Sequence, residues 1–189
     1  MIDHGIADFG LAKRKAAERF AVSGAGVLPS NAQIEACLAE HQRIFSPDTH
    51  KDRVGALRRV AAAAMDRLAM FQPRLVGPVL NGTATVNTVV ELHLFADVPE
   101  LVAAELERQG THPGDCERRY RFDMRKSGTA VPGFKFVLDG VQVWAMVFPE
   151  NGVRQAPLSP VDRRPMERAS LHRVLALVAA DEAEPELES

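Results

Sequence analysis

Cysteine is nearly absent: Cys37 and Cys116 are the only two in 189 residues. Two thiols cannot build a disulfide scaffold or a cysteine-based zinc site, so the reducing cytoplasm is the expected location. Aromatic residues are scarce, at 6%, which leaves little for a base-stacking surface. Neither sign of charge dominates, and a net charge of −2 gives no overall pull toward nucleic acid. No apolar run approaches the roughly 18 residues a membrane span needs. The opening MIDHGIADFGLAKRK lacks the basic-then-apolar order of a signal peptide. The six histidines show no His-x-x-x-His or Glu-x-x-His spacing, so a zinc site would need ligands from distant segments. Neither a nucleophile elbow nor an internal repeat is present. What remains is 46% hydrophobic and 25% charged, the balance of a globular domain with a sizeable core.

The first third reads as helices. Phe9, Ala12, Ala16 and Phe20 recur at helical spacing. Gly24, Gly26 and Pro29 break the chain, and Ser30 with Gln33 has capping-box spacing. That predicts a helix over 31–45 burying Ile34, Cys37 and Leu38, ended by Ser46-Pro47-Asp48. The stripe Val54, Leu57, Ala61, Met65, Leu68 predicts another over 51–71, stopped by Pro73.

Beyond Pro73 the pattern turns to strands. Residues 75–80 form a continuous apolar run, read as a buried strand. Residues 89–95 alternate, with Val90, Leu92 and Leu94 on one face and Glu91 and His93 on the other, solvated one. Asp97 is a good N-cap for a helix carrying Leu101, Val102 and Leu106. Residues 115–124 alternate again, with Cys116, Arg118, Tyr120, Phe122 and Met124 on one face. Asp139-Gly140 between β-rich runs 134–138 and 141–148 is a type I′ hairpin signature. A proline-punctuated loop, 149–166, leads to a last helix over 167–179 with Leu171, Val174, Leu175 and Val178 inward. The order implies an α+β fold: a mixed sheet of about five strands, an N-terminal helical layer and a C-terminal helix. The expected divisions are a helical region over 1–72 packed on the core, an α/β core over 73–180, and an acidic flexible tail over 181–189.

The stretch 75–97 carries the most chemistry. A helix leads to an apolar strand ending in Gly77-Pro78, and the next strand presents Glu91 and His93 one residue apart. With the later hairpin, this resembles the nucleotidyltransferase superfamily over roughly residues 57–148. The resemblance implies a nucleotidyltransferase-like sheet. It also implies a Gly-Gly or Gly-Ser after the first strand that helps hold a triphosphate. Two acids one apart on the next strand would grip divalent metal, with a third carboxylate on a later strand. Alternate strand residues point the same way, so such a pair can share a metal site. By that likeness Gly77 would contact ligand, while Glu91 and His93 would be the catalytic residues and the ligands of Mg or Mn.

The departures are specific. Pro78 has no amide to give a phosphate. His93 replaces a hard oxygen ligand. Residues 141–148 offer Gln142 and Trp144 where the third acid is expected. The metal site is therefore expected to be degenerate. A bacterial group of similar look is sometimes labelled UDP-N-acetylmuramate–alanine ligase. That activity implies a Gly-Lys-Ser/Thr loop, and Gly24-Ala25-Gly26 lacks the lysine and hydroxyl.

Two basic clusters remain. Arg118, Arg119, Arg121, Arg125 and Lys126, interleaved with Tyr120 and Phe122, suit either binding of phosphate or single-stranded nucleic acid or, the favoured reading, a polar strand face. Arg154, Arg163 and Arg164, with Arg168, are candidate ligand-binding residues on a loop that either closes over an anion, with Asp162 orienting an arginine, or straps the last helix to the sheet. Both cysteines read as core. The expected function is binding of a nucleotide or phosphorylated small molecule without efficient catalysis. Two alternatives stand beside it: an active metal-dependent nucleotidyltransferase, and a non-enzymatic module that docks a protein partner through Trp144, Tyr120 and the helical N-terminus. A carboxylate close to Glu91 would favour the enzyme, and Trp144 filling the cleft would favour the module. Nucleic acid and membranes are not expected partners.

Overall fold

The computed structural model describes residues 29–31, 33, 34, 37 and 47–183. The helix expected around Phe9 to Phe20, the Gly24-Ala25-Gly26 break and Leu38 lie outside the described residues. The capping box forms as spelled: Ser30 N donates to Gln33 Oε1 at 2.8 Å, and Gln33 N to Ser30 Oγ at 3.1 Å. Cys37 is helical but exposed, while Ile34 is half-buried, so the thiol is not a core residue.

The chain then runs through α1 (Pro47–Arg67), a 3-10 turn (Ala69–Phe71), β1 (Arg74–Val76), α2 (Pro78–Asn81), β2 (Val90–Phe95) and α3 (Glu100–Arg108). After these come β3 (Gly114–Tyr120), β4 (Thr129–Leu138), β5 (Val141–Phe148), a 3-10 turn (Glu150–Arg154) and α4 (Leu171–Ala183). Pro47 opens α1, where its fixed φ and missing amide suit the first helical position, and the end of the helix expected over 31–45 lies outside the described residues. The strand expected over 75–80 stops at Val76. Gly77 turns the chain at φ 73°, and Pro78 starts a short helix whose Val79 and Leu80 are buried. An apolar run alone does not separate strand from helix.

Asp97 does not cap α3. Its Oδ1 accepts the Glu150 amide at 3.1 Å, tying the end of β2 to the turn after β5. β3 ends at Tyr120, so Phe122 and Met124 lie beyond its ladder. α4 begins at Leu171, later than expected, because Ala169 instead makes an isolated β-bridge to Leu75. Leu175 faces solvent while Val174 is fully buried. Asp181 and Glu182 belong to α4 and not to a tail.

The fold is α+β, around one five-stranded mixed sheet in the order β1-β2-β5-β4-β3. β2 and β5 are parallel, with Glu91 opposite Trp144, and the other neighbours are antiparallel. Asp139 and Gly140 both take positive φ, 50° and 77°, as a type I′ turn requires. On one face Val90, Leu92 and Leu94 join Phe134, Phe136, Val143, Ala145 and Val147 in the main core, which also takes in side chains of α1, α3 and α4. The small residues Ala61 and Ala64 of α1 are fully buried in it.

The other face of β2 is not solvated. Phe95, Tyr120, Val131, Met146 and Phe148 form a second, smaller core, with Val153 and Met166 packed on it. The segment 149–170 crosses this face as a strap. Leu158 N donates to Arg121 O, just past β3, at 2.6 Å, and Ala169 exchanges two 2.9 Å backbone bonds with Leu75 on β1. Both margins of the sheet are thereby tied to one segment. Among the described residues no helix is long and apolar enough to cross a membrane.

Candidate functional site

The second face gathers the chemistry. Strand alternation points Glu91, His93 and Phe95 of β2 the same way as Trp144, Met146 and Phe148 of β5, and, through the register, as Arg118 and Tyr120 of β3. β3 is separated from β2 by β4 and β5, yet its side chains reach β2. Arg118 Nη1 lies 2.7 Å from Glu91 Oε2. The Tyr120 ring meets the His93 ring edge-on, with centroids 5.3 Å apart. Gly133, which stands between Cys116 and Met146 in the ladder, has no side chain of its own, and the end of Met146 lies over it.

Arg168, one residue before the Ala169 bridge, completes the group. Its Nε donates to His93 Nδ1 at 3.1 Å, and its Nη1 to Gly152 O at 2.8 Å. Its guanidinium lies over the rings of Phe95 and Phe148, 5.1 Å from each centroid. Arg168 therefore fastens the strap to β2. Burial, with Arg74 nearby, lowers its pKa to about 10, so it stays charged at neutral pH.

Gly77 stands where the sequence expectation put it, beside Glu91: a Cβ built there would sit 3.7 Å from Glu91 Oε2. α1 holds the turn from behind. Arg58, 8% exposed, donates to Val79 O (3.2 Å), Leu80 O (3.1 Å) and both oxygens of Asp181 on α4 (2.9 and 3.1 Å). His50 Nε2 donates to Gly82 O at 2.9 Å. The end of α2, whose carbonyls no helix continues to satisfy, is thereby paired.

Glu91 and His93 do share a face, but their surroundings fit a cation poorly. The Glu91 carboxylate is already neutralised by Arg118. His93 Nδ1 already accepts a hydrogen bond from a cation. The third position is Trp144, whose ring carries the Lys135 ammonium 4.2 Å from its centroid and whose Nε1 donates to Gln142. Among the described residues no group of three or more His, Cys, Asp or Glu is placed to hold a metal ion. Mg or Mn would have to displace a guanidinium to reach its one hard oxygen donor.

His93 is fully buried. Burial first, then the charges of Arg168 and Arg118, push its pKa well below 6.5. Glu91, Arg118, Tyr120, Arg168 and the cross-strand Arg74 are the charged or titratable groups around it. The native state thus holds a neutral imidazole, while the unfolded chain takes up a proton below about pH 6.5. Stability from this group is present above that pH and lost as pH falls, by up to ~1.4 kcal/mol per unit. Urea midpoints at pH 7.5 and 5.5 check the sign: the advantage of wild type over His93→Gln shrinks at the lower pH.

The other expected site residues are not brought together. Arg154, Arg163 and Arg164 are exposed on the strap. Asp162 accepts the backbone amide of Arg164 at 3.1 Å and, among the described residues, pairs with no guanidinium. Of the two basic clusters, Arg118 and Arg168 enter the site. Sequence spacing ranks them no higher than their neighbours, although Tyr120 beside Arg118 and the glycine inside a β-rich run at Gly133 were usable signals. No protein-family model matches this chain, and no curated protein matches it.

Proposed function

We propose that the chain is a nucleotidyltransferase-like protein with a degenerate metal site, which binds a nucleotide or another phosphorylated small molecule without metal-dependent transfer. The Arg118–Glu91 ion pair carries this reading, since it sets a guanidinium where metal-bound phosphate would otherwise be held. Arg74, Arg118 and Arg168 outnumber the single carboxylate of Glu91 on this face, an imbalance that favours an anion. The Gly77 turn beside Glu91 and the half-buried ring of Trp144 next to it add a close backbone approach and an aromatic surface.

Thermal melting against a panel of nucleoside triphosphates, with and without Mg or Mn, tests the reading. A ligand at about 100 times its Kd stabilises by about 2.7 kcal/mol, which is a rise of roughly 5–10 °C for a chain of this size. The expected rise is independent of metal, and Glu91→Gln, by freeing Arg118, increases it. A rise that requires metal and vanishes in Glu91→Gln would favour the active metal-dependent transferase and call for a transfer assay. No shift at millimolar ligand would count against nucleotide binding and direct the search to a protein partner.

A further inference from the structure

Buried polar atoms in folded proteins are almost always paired. Three buried atoms around Phe148 are not: His93 Nε2, Tyr120 OH and Arg168 Nη2. Their side chains pack against that one ring, with His93 and Tyr120 centroids 4.5 and 5.2 Å from it and Arg168 Cζ at 5.1 Å. His93 and Tyr120 are 0% and 5% exposed.

The chemistry of the three atoms can be read from their partners. A guanidinium only donates. The Arg168 Nε–H bond to His93 Nδ1 therefore makes Nδ1 the acceptor, which leaves the proton of the neutral imidazole on Nε2. Nε2 is then an unpaired donor. Arg168 has spent Nε on His93 and Nη1 on the strap carbonyls, so Nη2 is a second. The Tyr120 hydroxyl is a third: the Arg118 guanidinium beside its ring, 5.7 Å from the centroid, can offer it hydrogens and accept none. A single water has two lone pairs and brings hydrogens that would need acceptors of their own. An oxyanion accepts from every direction and brings the charge that Arg168 and Arg118 match.

We infer that these donors form an oxyanion pocket for the terminal phosphate of a phosphomonoester, an inference that rests on the proposed binding of a phosphorylated ligand. Arg118 is the outer jaw: its side chain is 37% exposed against 15% for Glu91. The phosphate enters past it, Glu91 yields the guanidinium, and Arg118 becomes the fourth donor. Arg168 holds strap and phosphate with different nitrogens, so a bound ligand tightens the strap.

The test uses inorganic phosphate as probe on the full chain at constant ionic strength. Melting temperature and the fluorescence of Trp144, the one tryptophan, are the readouts. Tyr120→Phe removes the hydroxyl alone. Without phosphate this variant melts at or above the wild-type temperature, because an unpaired buried hydroxyl is lost. With phosphate it binds at least about tenfold more weakly. Arg59→Gln, which removes a positive charge on α1 away from this face, binds as wild type. Equal phosphate affinity in Tyr120→Phe, no phosphate binding at tens of millimolar, or a lower unliganded melting temperature of Tyr120→Phe would each overturn the pocket.

Parallel titrations with nucleotide separate this site from the wider reading. Nucleotide binding that Tyr120→Phe leaves intact sinks the pocket and keeps the proposed function. Phosphate binding lost in Tyr120→Phe, with no nucleotide binding in either protein, keeps the pocket and sinks the nucleotide. Silence to both ligands sinks both.

Discussion

Arg58→Ala is expected to lose about 3–5 kcal/mol of stability. The side chain is nearly buried, and its five-donor fork is shared between two carbonyls at the end of α2 and the carboxylate of Asp181. Truncation leaves a carboxylate at 18% exposure without its partner and two carbonyls unpaired. Each of these carries its own desolvation penalty. The melting temperature should fall by roughly 6–20 °C, at about 2–4 °C per kcal/mol for a domain of this size. Arg58→Lys recovers only part, because an ammonium cannot bridge three acceptors in a plane. Asp181→Asn added to Arg58→Ala restores some of the loss, since it removes the stranded charge. A drop under about 1 kcal/mol for Arg58→Ala, read from urea midpoints, would mean that solvent replaces the guanidinium freely. Because α2 follows directly on Gly77, the same variant should weaken binding of any ligand seated at that turn.

Gly133→Ala should cost about 1–3 kcal/mol, with a larger penalty for valine. A Cβ at this position would meet Ala145 O at 2.6 Å and the Met146 Sδ and Cε at 2.9 Å. Methionine can swing aside, but a carbonyl of the adjacent strand moves only with its backbone. Gly114→Ala on β3 is the matched control: its nearest neighbour, Lys135 O, is 3.9 Å away, and stability should change little or rise. Prying β4 from β5 also parts Tyr120 from His93, so Gly133→Ala is expected to lose phosphate binding along with stability. Equal midpoints for the Gly133 and Gly114 variants would show that the sheet flexes to admit a methyl group, and would remove the steric reason for glycine here.

Much of the architecture was legible because its signals are local. Asp139-Gly140 specifies its own turn, Ser30 and Gln33 reach each other within one helical turn, and the stripe from Val54 to Leu68 marks the buried side of α1. The errors came where one pattern fits two structures. Residues 75–80 read as a strand by apolarity, and only the positive φ at Gly77 separates β1 from α2. Glu91 and His93 read as a wet face because alternation reports polarity and not cover, and the cover arrives with Val153 and Met166 from far along the chain. Gly77 and Glu91 lie side by side, and Glu91 shares a strand face with His93, because a turn and one strand join them. Arg118 and Arg168 were not singled out, because a guanidinium's destination depends on strand order and on where the strap returns. Neither is written within a few residues of the arginine.

The strap has a consequence for how the protein is made. α4, which packs with α1, and the strap, which covers the opposite side of the sheet, both follow β5 in the chain. A nascent chain that has emerged only as far as Phe148 holds all five strands, with α1 and α3 for one side of them, yet has nothing over the side that the strap covers, so that apolar surface stays open to chaperones and to other chains. The contacts of the strap and α4 also join segments far apart in the chain, such as Arg58 with Asp181 and Leu75 with Ala169, and separations of that kind slow folding. A premature stop between the hairpin and the strap would leave one side of the sheet without a shelter.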